Sequence, residues 1–247
     1  MCAIRRRATG QNDSVPNEPA ERTPEGDLHL PAWRRHTNGE QRWPGAIAIL
    51  GMIVLQLLLP DRLSLGSRWL MPAIELILIG VLVAAYPGEM ERRSTLLRRT
   101  GLTLIVVASL GTAWAVGQLV FDIAAGVDTG NAAHLLATGG NVWLINVLTF
   151  AVWYWELDRG GPFERAQGSR QHPDFLFPQM TTPDMAPSEW EPRFLDYLYL
   201  AFTNSTAFSP TDTLPLSRGA KLGMLLQSAI SLVIAALVIA KAINTLQ

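Results

Sequence analysis

Hydrophobic residues in this chain come in long blocks rather than in the short periodic patterns of a water-soluble fold. Residues 43–59, WPGAIAILGMIVLQLLL, are apolar except for Gln56. At about 1.5 Å rise per residue such a run just crosses a hydrocarbon core of about 30 Å, so it predicts a first transmembrane helix, with Pro44 suited to its start and Pro60 and Asp61 ending it. Residues 69–86 predict a second, with Trp69 and Tyr86 at interfacial depths. Its one acid, Glu75, is expected to reach the headgroups or to meet Arg68. Residues 101–121 predict a third, in which Ser109, Ala113 and Gly117 put small side chains on one stripe suited to helix packing. A fourth runs from about His134 to about Trp155. Asn141 and Asn146 lie inside it and are costly in lipid unless paired, which predicts bonds between helices. A fifth covers residues 220–243.

Two polar stretches interrupt the blocks. Residues 1–42 are rich in Pro, Glu, Asp, Arg and Asn and are expected to be a disordered tail, because they cannot bury enough surface to offset the entropy of ordering. Arg5, Arg6 and Arg7 are not followed by the apolar region of a secretory signal. Residues 156–193 carry Pro162, Pro173, Pro178, Pro183, Pro187 and Pro192. That segment cannot span, and it is expected to be either an ordered cap or a flexible tether.

Residues 194–247 form the last unit. Leu195, Leu198, Tyr199 and Phe202 fall at helical spacing over 194–204, about half the length of a span, and a polar turn, TNSTAFSPTD, follows before the fifth apolar run. Short helix, polar loop and spanning helix are the order of a re-entrant pore loop. Irregular backbone at membrane depth is tolerated only where protein buries it or water lines it. The expected fold class is therefore an all-α integral membrane protein with five transmembrane helices, in residues 43–155 and 194–247, plus a pore-type half-helix before the last one.

Composition agrees. The chain is 49% hydrophobic and 17% charged with a formal net charge of -1, which excludes the basic surface of a nucleic-acid binder. Its single cysteine, Cys2, allows no intrachain disulfide and no thiolate metal cluster. His172 stands apart from any Cys, Asp or Glu at ligand spacing. No nucleophile elbow, Gly-rich phosphate loop, metal-ligand set or intramembrane carboxylate pair is present, so no enzyme and no bound cofactor are expected.

The 194–246 stretch resembles the pore-loop region of tetrameric potassium channels. Aligning Asp212 with the acid that closes that family's filter sets Pro215 on its following proline and Lys221 on its arginine. Thr206, Ala207, Phe208, Ser209, Pro210 and Thr211 then fall on the filter. The resemblance implies a homotetramer in the lipid bilayer, a monovalent cation as permeant ion, and an inner helix lined by Gln227, Ser228 and Ser231. Ser209 and Thr211 replace the two glycines whose backbone freedom aims carbonyls at potassium, and Pro210 replaces the bracing aromatic. The implied path is wider and less selective, built from the hydroxyls of Thr206, Ser209 and Thr211 and from Asp212. The chain is also similar to a large group of bacterial multi-pass membrane proteins with a FLDYLYLAFT…FSPTD signature, which implies a bacterial plasma membrane. The alternative is a non-conducting membrane scaffold or assembly factor with a channel-like fold.

Counting Lys and Arg at the membrane ends places the 156–219 segment on the cytoplasmic side, whereas a potassium-channel loop enters from outside. The two expectations conflict.

Overall fold

The computed structural model describes residues 30–84, 95–127, 131–170, 172–207 and 212–245. Of the tail expected over 1–42, residues 1–29 lie outside them. Eight α-helices are described: α1 (Trp43–Leu57), α2 (Leu70–Ala84), α3 (Thr95–Ala124), α4 (Ala132–Leu157), the short α5 (Pro162–Ala166) and α6 (Pro178–Thr181), α7 (Phe194–Ala207) and α8 (Arg218–Thr245). The departure from an all-α chain is a minimal antiparallel pair, β1 (Phe175–Leu176) with β2 (Leu214–Pro215), in the register Phe175↔Pro215 and Leu176↔Leu214.

Three helical stretches, Arg99–Ala124, Ala132–Gly160 and Arg218–Asn244, are long and apolar enough to cross a membrane, and Trp43–Leu57 and Leu70–Val81 are shorter apolar helices. Each helix starts close to where its apolar run predicts. Asn131 caps α4 by accepting from His134 N at 2.8 Å, which satisfies a donor that would otherwise lack a partner.

α4 is the central helix, packed against α1, α3, α7 and α8. α8 runs antiparallel to it: Gly223 lies against Tyr154, Ser231 bonds Asn146, and Gly139 faces Val238. A Cβ on Gly139 would come within 2.6 Å of Val238 Cγ2, so this close crossing requires glycine. Asn141 and Asn146 pair as expected, Asn141 Nδ2 donating to Leu55 O at 3.0 Å and Asn146 Nδ2 to Ser231 Oγ at 3.1 Å.

Two expectations about spanning helices meet a different arrangement. Ser109 is used, accepting from Trp153 Nε1 at 2.6 Å, but Ala113 and Gly117 are exposed. α3 instead packs through Leu104, Ile105, Ala108, Thr112, Ala115 and Leu119, since these follow the wider stripe that larger apolar side chains make. Glu75 does not reach Arg68. It is fully buried and accepts from Gln56 Nε2 at 2.9 Å, while Arg68 pairs with Asp61 and donates to Leu57 O.

The proline-dense segment is an ordered cap over one end of the bundle, and residues 31–42 are ordered with it. Trp33 is buried, and Arg35 Nη2, Thr37 Oγ1 and Phe194 N donate to Glu189, Glu191 and Glu40 at 2.5, 2.7 and 2.7 Å. Composition groups 31–42 with the tail because these bonds join positions more than a hundred residues apart. At the centre of the cap Asp158 is fully buried; Tyr197 OH donates to its Oδ2 at 2.6 Å and Asp174 N to its Oδ1 at 2.8 Å. Arg159, at a left-handed φ of 52°, is held there by donating its N–H to Asp174 Oδ2 and its guanidinium to Trp33 O. Arg165 donates to Trp155 O and Asp158 O, its guanidinium 5.0 Å from the Tyr197 ring. Arg165 thereby satisfies the Trp155 carbonyl, one of the groups left open by the end of α4, and Asp158 N satisfies that of Tyr154.

Candidate functional site

α7 starts at the capped end of the bundle. There Phe194 meets Trp155 edge-on at 5.8 Å; further along, Phe202 meets Trp143 at 5.6 Å. The step from Trp155 to Trp143 along α4 is about 18 Å at about 1.5 Å per residue. The chain then returns. β2 pairs with β1, whose Phe175 lies 5.0 Å from the Tyr154 ring and whose neighbour Asp174 accepts from Leu216 N at 2.8 Å. α8 begins at this same end. The segment from α7 to β2 thus enters and leaves at one face.

A cluster of buried amides and hydroxyls fixes α7 between α4 and α8. Gln227 sits at its middle. Its Nε2 donates to Ala201 O and Ser205 Oγ, both at 2.9 Å, and its Oε1 accepts from Tyr154 OH at 2.7 Å and Asn204 Nδ2 at 2.8 Å. Asn204 Nδ2 also donates to Met224 O at 3.0 Å, and Ser228 Oγ donates to Asn204 Oδ1 at 3.1 Å. Gln227, Asn204 and Ser205 are each at most 1% exposed, and an amide in such surroundings is tolerated only when bonded this completely.

The residues that the channel resemblance singles out divide into four sets. Thr206 and Ala207 belong to the last turn of α7 rather than to irregular backbone, and both are exposed. Thr206 Oγ1 bonds back to Phe202 O at 3.0 Å and Thr203 O at 3.2 Å, a contact that lets a threonine stay helical. Phe208, Ser209, Pro210 and Thr211 lie outside the described residues. Asp212 is exposed, its Oδ2 accepting from Tyr199 OH at 3.3 Å. Of the inner-helix residues, Gln227 and Ser231 are fully buried within the chain and Ser228 half-buried, all three turned toward α4 and α7. Sequence reasoning missed Tyr154, Asn204 and Ser205 as their partners. The available signal was the spacing of Asn204 and Ser205 at three and four residues from Ala201, on the stripe of α7 that meets α8.

Glu40, outside the apolar helices, ties the N-terminal segment to the start of α7 by accepting from Phe194 N at 2.7 Å and Trp155 Nε1 at 3.0 Å. Burial raises its carboxyl pKa, against the lowering effects of those two bonds and of Arg165 and Arg193. The folded state therefore holds this proton to higher pH than the unfolded state does. Its stabilising contribution is complete at low pH and falls as pH rises through the raised folded value. Glu40→Gln is expected to flatten the pH dependence of thermal unfolding in that window.

Among the described residues no group of three or more His, Cys, Asp or Glu side chains comes together as a metal site. No protein-family model, curated protein or solved structure matches the chain.

Proposed function

We propose that the chain is a multi-pass membrane protein in which α7 and the turn after it form a re-entrant loop, and that several copies set their 206–212 turns around a path for monovalent cations. The observation that carries this reading is the return of the chain to one face of the bundle: α7 descends about half of α4 and β2 is back beside β1. A membrane-crossing segment has its ends on opposite faces; a pore loop has them on the same one. In the full reading α1 and α2 also span. Each has 15 described residues, about 22 Å of helix against the about 30 Å of a hydrocarbon core.

Thr206, Ala207 and Asp212 are exposed on the single chain and so free to face an axis shared by copies, four in the tetrameric arrangement that the channel resemblance implies. Arg34, Arg35, Arg42, Arg193, Arg218 and Lys221 lie at the α7 end, which favours a cytoplasmic location for it in a bacterial plasma membrane. The loop then enters from inside, inverted relative to a potassium channel.

Purified protein in liposomes is expected to pass monovalent cations above the level of empty vesicles, and Asp212→Asn to lower the cation-over-anion preference severalfold. A monomer without flux overturns the reading. One observation favours a non-conducting scaffold instead: Gln227 and Ser231, which the resemblance sets on a cavity wall, are buried inside the chain. Absence of flux, together with crosslinking of one stoichiometric partner through residues 156–193, is the outcome that supports it.

A further inference from the structure

The only acid of the described part of α2 is buried more completely than any described loop carboxylate except Asp158, yet it has one partner. Glu75 is 0% exposed; its Oε1 accepts from Gln56 Nε2 at 2.9 Å, and its Oε2 has no hydrogen-bond partner. Gln56 shows the complementary deficit. Its amide nitrogen is used and its Oε1 is without a partner. Two buried acceptors are thus left over from one acid–amide contact, and each costs about 1–3 kcal/mol when unsatisfied. When the shared N–H is the one cis to the amide oxygen, a carboxyl and a primary amide bring their second oxygens to the two ends of the same ring. One proton there satisfies both atoms at once.

Among the described residues, charge in the surroundings does not provide another answer. α1 carries no ionisable side chain over Trp43–Leu57. The charged residues of α3, Arg98, Arg99 and Asp122, lie near its two ends, and Asp122 is ion-paired with Arg62. Arg68, the nearest cation in sequence, is engaged with Asp61 and Leu57 O. Thr112, on the facing side of α3, bonds Ala108 O and the Thr149 hydroxyl. An ionised Glu75 would sit in an apolar seam opposite a bare carbonyl oxygen, with a single neutral donor to hold it.

We propose that Glu75 and Gln56 form a proton-binding site, in which Glu75 carries a proton on Oε2 and donates it to Gln56 Oε1, closing a ring of two hydrogen bonds between α2 and α1. Release leaves a carboxylate on Glu75 and passes the proton to water. A cavity of about 20 Å³ reaches Gln56 and is lined also by Ser64, Ser67, Arg68, Gly111 and Thr112. It has room for about one water, for which about 10–15 Å³ suffices. Ser67 and Arg68 are exposed, which sets the exchange at the bundle end away from α7. Loss of the proton breaks one of the two bonds and sets like partial charges against each other, so this seam between α1 and α2 responds to protonation.

Infrared spectroscopy of the full chain in lipid nanodiscs tests the site directly. Near about pH 7, where an ordinary carboxyl is ionised, the native protein is expected to show the C=O stretch of one protonated carboxylic acid that Glu75→Gln lacks. The Glu75→Gln chain keeps a donor and an acceptor on each partner and should retain both bonds. In Gln56→Leu the same band should persist and move to the frequency of an acid without a hydrogen-bonded neighbour. Equal acid C=O intensity in the native and Glu75→Gln proteins, or a band unmoved by Gln56→Leu, overturns the proposal.

Discussion

Replacing Gln227 by leucine is expected to lower the thermal unfolding midpoint by more than any other single change within α8, at a cost of about 2–4 kcal/mol. Four hydrogen bonds converge on this side chain. Bonds between helices inside membrane proteins average only about 0.6 kcal/mol each, which by itself would make the loss about 2 kcal/mol. The larger part of the range comes from what stays behind. Tyr154 OH loses its acceptor while buried, and an unsatisfied buried group costs about 1–3 kcal/mol, whereas the Ala201 carbonyl keeps its bond within α7. Tyr154→Phe provides the control. It removes one donor and leaves Gln227 Oε1 with Asn204, so about 1 kcal/mol is expected. Unfolding in detergent, followed by circular dichroism, separates the two. The same variant should make the turn after α7 more accessible to protease, because Gln227 joins α8 to α7 at both Ala201 and Ser205.

The second large effect lies in the cap. Asp158→Ala removes the acceptor of Tyr197 OH and of Asp174 N and leaves the buried Arg159 guanidinium without the carboxylate 4.0 Å from it. Removing one partner of a buried charged group typically costs about 3–5 kcal/mol, because the remaining charge keeps its desolvation penalty without compensation. The cap is expected to detach before the helices melt, which would separate the near-ultraviolet signal of Trp33 and Trp155 from the far-ultraviolet helical signal. Asp158→Asn preserves the volume and one of the two acceptor oxygens, and Tyr197 OH can instead accept from the new amide, so it should cost less than half as much.

Much of the architecture is legible in the order of residues. Apolar runs locate α1 to α4 and α8 to within a few residues, because a helix in lipid must be apolar along its whole length and the signal is averaged over many positions. The start of α7 is equally plain, from its aromatic stripe and the proline before it, but its length is not: it runs to Ala207, 14 residues, three beyond the 194–204 expected. The cap is not, since no local pattern records that Arg35 meets Glu189 or that Thr37 meets Glu191. Such pairs depend on where the helices put the ends of the chain. The site was half legible. Gln227, Ser228 and Ser231 stand out as polar residues on an apolar helix, but which way that stripe faces follows from the position of α7 and not from the spacing. Thr206 illustrates a different limit. Letter-by-letter likeness to a filter assigns it to irregular backbone, whereas its hydroxyl bonds its own helix and prolongs α7 by a turn. Glu75 was misjudged because Gln56, its partner, lies on another helix and has no charge to mark it.

The central claim is that the chain between the cap and α8 dips into the bundle and comes back to the face it left. Sided cysteine labelling tests this most directly, with Cys2 replaced by serine and single cysteines placed at Ser188 before α7, Leu216 after the return and Ser67 at the far end, all exposed positions. An impermeant thiol reagent applied to oriented vesicles should label 188 and 216 from the same side and 67 from the other. Labelling of 188 and 216 from opposite sides would make α7 a crossing segment and contradict the re-entrant loop.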